Sequence, residues 1–94
     1  MAKLTWSPRS LNDLEILHEY IKQDSEENAG DFIRQLITAT VDITKFPLAG
    51  RKVPEYKEHR IREKLYKNYR NIYRINTDGI EVLTVLHQTR RLHK

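Results

Sequence analysis

The sequence predicts an α+β fold: an N-terminal strand, an antiparallel helical hairpin, then an antiparallel three-stranded sheet, in the order β-α-α-β-β-β. Three observations carry this. Apolar residues recur at helical spacing across residues 11–43, the spacing shifts to alternation after residue 60, and Pro or Gly falls in the connector and near a turn between these regions. With 94 residues the chain is long enough for one domain, 1–94, able to bury somewhat above ~60% of its unfolded surface.

Lys3–Trp6 reads as a short opening strand. Ser7-Pro8 then starts a helix, because Ser can cap free backbone N–H groups and Pro has the φ of a first turn. Leu11, Leu14, Leu17 and Ile21 form its apolar stripe, widened by Ile16 and Tyr20, and the pattern fades near Gln23. Acidic residues in "DSEEN" favour the positive end of a second helix. Its stripe is Ala29, Phe32, Ile33, Leu36, Ile37, Thr40 and Ile43, and it stops at Phe46-Pro47, since the residue before a proline avoids helical geometry. Trp6, Tyr20 and Phe32 are expected in the core.

Residues 48–59, with Gly50 and Pro54, are too irregular for an element. Ile61–Tyr66, Tyr69–Ile75 and Ile80–His87 read as strands joined by turns at Lys67-Asn68 and Asp78-Gly79. The second turn draws on the tolerance of Asp and Gly for positive φ. Any even-length loop there puts Arg70, Ile72 and Arg74 on one face with Leu83, Val85 and His87. Tyr69, Asn71, Tyr73 and Ile75 then share the other face with Val82, Thr84 and Leu86, the face expected beneath the helices. Two arginines and a histidine over an apolar floor suit an open working surface, because arginine is seldom fully buried without a partner. Arg74, near the turn, is expected to pair at the rim with Glu63 or Glu81.

Composition excludes several classes. There is no cysteine, so neither a disulfide framework nor a thiolate metal site is available. His18, His59, His87 and His93 show no chelating spacing, and no metal or other cofactor is expected. "MAKLTWSPRS" lacks a signal-peptide core and no run reaches the ~20 apolar residues of a transmembrane helix, so a cytoplasmic protein is expected. The net charge of +4 conceals an asymmetry: five Lys/Arg against eight Asp/Glu over residues 1–47, twelve against five over 48–94. The basic half points to phosphates or an acidic partner. No aromatic stacking set supports general nucleic-acid binding.

Four segments in order, "LTWSPRSLNDLEILHEYI", "FPLAGRKVPE", "YRNIYRI" and "VLTVLHQTR", resemble the RelE/ParE superfamily of toxins from bacterial type II toxin–antitoxin modules. The resemblance spans almost the whole chain. It implies the fold derived above and a growth-inhibiting toxin held by a cognate antitoxin, which would lay an acidic, partly disordered segment over it. The ParE-like branch implies a protein that poisons DNA gyrase by contact, whereas the RelE-like branch implies a ribosome-dependent mRNA endoribonuclease. On the RelE-like alternative, Glu55 of Pro54-Glu55 would be the base, Arg70 the phosphate clamp and His87 the acid. Arg62, Lys64, Arg74, Arg90 and Arg91 would hold nucleic acid or the antitoxin. The tail "HQTRRLHK" lacks the tyrosine with which RelE-like chains often end, so the overall pattern is closer to the ParE-like branch.

Overall fold

A computed structural model of the chain describes residues 3–91. β1 (Lys3–Trp6) leads into α1 (Pro8–Lys22) and α2 (Glu26–Val41), two 3-10 turns (Asp42–Lys45 and Pro47–Ala49), and the strands β2 (Arg51–Lys52), β3 (Ile61–Tyr66), β4 (Tyr69–Asn76) and β5 (Gly79–His87). These strands form one five-stranded sheet in the order β1-β5-β4-β3-β2. β1 lies parallel to β5 and the other pairs are antiparallel. The expected three-stranded sheet is therefore the centre of a wider, mixed one. Among the described residues no helix is long and apolar enough to cross a membrane.

The helix starts follow the sequence. Ser7 Oγ accepts the Ser10 N–H at 3.0 Å ahead of Pro8, and Ser25 Oγ accepts the Asn28 N–H at 3.2 Å. Ser7 Oγ also donates to Leu83 O at 2.8 Å, fastening the start of α1 to β5. The buried row of α1 is Ser10, Leu14 and Leu17, narrower than the expected stripe. Leu11, Ile16 and Tyr20 are exposed, so Tyr20 is not a core residue. Trp6 and Phe32 do pack, partly buried, against the main core of Leu14, Leu17, Leu36, Val82 and Val85.

Two features of the β4–β5 hairpin depart from expectation. The turn residues are Thr77 and Asp78, with Asn76 paired to Gly79, and Gly79 does not have positive φ. Gly79 is required for space instead: a Cβ there would lie 2.2 Å from the Lys3 carbonyl oxygen of β1. Farther along, Tyr73 pairs with Val82 but Ile72 pairs with Thr84, so Leu83 is an extra residue in a bulge. The bulge switches the side-chain alternation of β5, as an odd-length loop would have done.

In consequence Val82 and Val85 both pack toward the helices, while Leu83 and Leu86 pack on Ile72. His87 pairs with Tyr69, and Arg70 pairs with Leu86. The expected grouping of Arg70 with Val85 and His87 is thus overturned. The face opposite the helices is not open either. The connector folds over it, and Val53 and Tyr56 form a second small core with Ile61, Ile72, Leu83 and Leu86.

A buried ion-pair network as the candidate functional site

Arg70 lies mid-strand in β4, beneath this connector, and is 5% exposed. A guanidinium has five N–H donors in a fixed planar fork. All five are matched. Glu55 takes two in a bidentate fork, Oε2 to Nη1 at 2.7 Å and Oε1 to Nη2 at 2.8 Å. Glu63 Oε1 accepts from Nε at 2.8 Å and from Nη2 at 2.6 Å. Nη1 also donates to the Arg90 carbonyl oxygen at 2.8 Å. The second oxygen of Glu63 accepts from Arg51 Nε at 2.5 Å. Two guanidinium groups and two carboxylates therefore close a neutral cluster. Its hydrogen bonds with Glu55 foremost, and Glu63 next to it, raise the pKa of Arg70 above its ordinary value although burial works against this.

The cluster joins three parts of the chain: Glu55 from the connector, Glu63 and Arg70 from adjacent strands, and the Arg90 backbone from the tail. Glu63 was expected only as a rim partner for an arginine, and Arg51 was not singled out. A signal was present for Glu63. In "IREKLY" it lies on the same face as Ile61 and Leu65, and a carboxylate between apolar same-face positions needs a buried cation.

Glu55 and Arg70 are thus brought together, but His87 is not brought to them. Its ring meets the Tyr69 ring edge-on at 5.3 Å, on the helix side of the sheet. The Thr89 N–H donates to His87 Nδ1 at 3.2 Å, making that nitrogen an acceptor, and Thr89 Oγ1 lies 2.8 Å from it. His87, Tyr69, Asp13, Ile16 and Tyr20 border a groove of about 610 Å³ between α1 and the end of β5. Burial, with the nearby Tyr20, raises the pKa of Tyr69. Both amide atoms of Asn71 are buried without a hydrogen-bond partner among the described residues.

The remaining basic residues divide by role. Arg62 is turned onto backbone, donating to the carbonyl oxygens of His59 at 2.7 Å and Gly50 at 3.1 Å, so it braces the connector. Arg74 pairs with Glu81 at 3.0 Å at the sheet rim, one of the two partners expected for it. Lys64, Arg90 and Arg91 are exposed. Arg51, Arg90 and Arg91 border a cleft of about 230 Å³ over Glu55 and Arg70. Among the described residues no three His, Asp or Glu side chains come together as metal ligands, and His93 lies outside those residues.

The chain matches the family described as "ParE toxin of type II toxin-antitoxin system, parDE" over residues 4–92. Among solved structures it is similar to a chain of the chromosomal ParDE TA system from P. aeruginosa, with TM-score 0.78 and 16% identity over 93% of this chain and 96% of that one. It is also similar to a chain of the YoeB-YefM complex from Staphylococcus aureus, with TM-score 0.55 and 12% identity over 93% of this chain and 97% of that one. At these identities both likenesses show the fold alone. Comparison with curated protein sequences gives no match.

Proposed function

The chain belongs to the family of ParE toxins of type II toxin–antitoxin systems, and from that premise we propose that it arrests growth by gripping a macromolecular target rather than by cutting RNA. The observation that carries this is the commitment of Arg70: all five of its N–H groups serve Glu55, Glu63 and the Arg90 carbonyl. A phosphate clamp needs donors directed at the developing charge, and a base needs an oxygen available to the 2′-OH. Here the fork holds both Glu55 oxygens, and His87 stands across the sheet from Arg70. The RelE-like alternative would require the network to open and the end of β5 to turn over.

DNA gyrase is the target we infer, from the ParE-like character of the sequence. Ile16 and Tyr20, 61% and 67% exposed beside the groove between α1 and β5, supply an apolar contact surface such a grip requires. A cognate antitoxin with an acidic extended segment completes the reading, matched to the basic second half of the chain. DNA supercoiling by purified gyrase tests it. The chain should inhibit supercoiling, the antitoxin should relieve the inhibition, and Tyr20→Ser should weaken it with the fold intact. Unimpaired supercoiling at a large excess of folded protein would remove gyrase as the target.

A further inference from the structure

We propose that the uncovered half of β3 is a second docking surface, which seats an extended, acidic segment of the antitoxin. The proposal rests on the antitoxin reading above and deepens it. β2 is only two residues long and pairs Arg51 with Glu63 and Lys52 with Arg62. Among the described residues no strand therefore lies on the outer edge of residues 64–66, and a sheet edge with unpaired N–H and C=O groups is a template for an added strand.

Beside this edge lies a groove of about 370 Å³ between the 3-10 turns and β3, with Ile43, Phe46, Gly50, Leu65 and Tyr73 in its walls. Phe46 and Leu65, both in these walls, are 72% and 42% exposed. Solvent-facing apolar side chains grouped next to an open strand edge are anchor positions for a partner.

Charge selects the occupant. Lys52 and Lys64 are exposed along the edge. The nearby carboxylates are already engaged, Glu63 by Arg70 and Arg51 and Asp42 by Lys45. The uncommitted charge at the groove is therefore positive. A second copy of this chain would bring the same cations against it, so edge-to-edge self-pairing is disfavoured. A segment with acidic residues flanking one or two apolar ones satisfies both the cations and the groove. Lys64 is thus assigned to antitoxin binding.

Hydrogen exchange on the complex co-purified after co-expression with the cognate antitoxin tests this. The outward-facing amides among residues 64–66 should exchange at least about tenfold more slowly in the complex than in the free chain. Phe46→Ala and Lys64→Glu, both at exposed positions, should leave the melting temperature unchanged and weaken the complex about tenfold or more. A stable complex in which those amides exchange at the free rate, or in which both variants bind like the wild type, overturns this docking surface alone. If no complex forms, the antitoxin reading itself is overturned, and this inference with it.

Discussion

Replacing Arg70 with methionine separates a structural keystone from a catalytic clamp. The substitution removes all five hydrogen bonds of the guanidinium and takes the shared buried cation from two carboxylates whose side chains are 8% and 0% exposed, Glu55 and Glu63. Breaking a buried ion pair from one side costs about 3–5 kcal/mol, because the partner charge stays buried and uncompensated. Small domains have roughly 5–15 kcal/mol of stability in total, so the loss is a large share of it. At about 4–8 °C per kcal/mol for a chain of this size, the melting temperature should fall by tens of degrees. Urea denaturation at neutral pH measures the loss directly. If Arg70→Met does not fold, the triple variant Arg70→Met, Glu55→Leu, Glu63→Leu decides. It replaces the charges with apolar volume and should recover stability to within about 1 kcal/mol of the wild type or exceed it. Arg51 retains solvent at 61% side-chain exposure, so its loss of Glu63 weighs little. Arg70→Met unfolding within about 1 kcal/mol of the wild type would refute the reasoning.

Other perturbations address single links. Ser7→Ala should cost about 1–2 kcal/mol in urea denaturation, since Ser7 Oγ both caps α1 and holds Leu83 of β5. Gly79→Ala places a methyl group against the Lys3 carbonyl, so it should destabilise by about 1–3 kcal/mol and speed amide exchange across β1. Burial raises the pKa of Tyr73 and of Tyr69, so the folded chain holds these protons more tightly than the unfolded chain. That stabilisation is complete below the unfolded value of about 10 and is lost as pH rises through the folded values. Melting temperature should accordingly fall above about pH 10. Tyr73→Phe should flatten that fall, while losing the 2.5 Å bond to the Pro47 carbonyl, worth about 1 kcal/mol.

Local chemistry was legible in the sequence and long-range geometry was not. Ser7-Pro8 starts α1 where its adjacent residues require and the turn at Lys67-Asn68 stands where expected, whereas α2 ends at Val41, ahead of Phe46-Pro47, and continues only as a 3-10 turn. The bulge at Leu83 has no residue of unusual backbone preference to announce it. It arises from how β5 meets β4, and it alone moved His87 away from Arg70. Gly79 shows the same limit: its residue type suggested positive φ, whereas the passage of β1 over it is the reason no side chain fits. The alternation around Arg70 rightly marked it as a residue needing a partner. The partners stand seven and fifteen residues away along the chain, one on the adjacent strand and one in a connector with no regular pattern. The open arginine face failed for that reason, since nothing periodic in residues 53–56 shows that they fold back over the sheet.

The central claim is that the chain acts by contact and not by cleavage, and mapping RNA ends tests it most directly. The protein would be induced briefly in an antitoxin-free bacterial host and an abundant translated message probed by primer extension. Arrested growth with intact message, unchanged by His87→Ala, is the result the structure predicts. New ends confined to translated message, lost on His87→Ala, would contradict it and make Glu55, Arg70 and His87 a catalytic set.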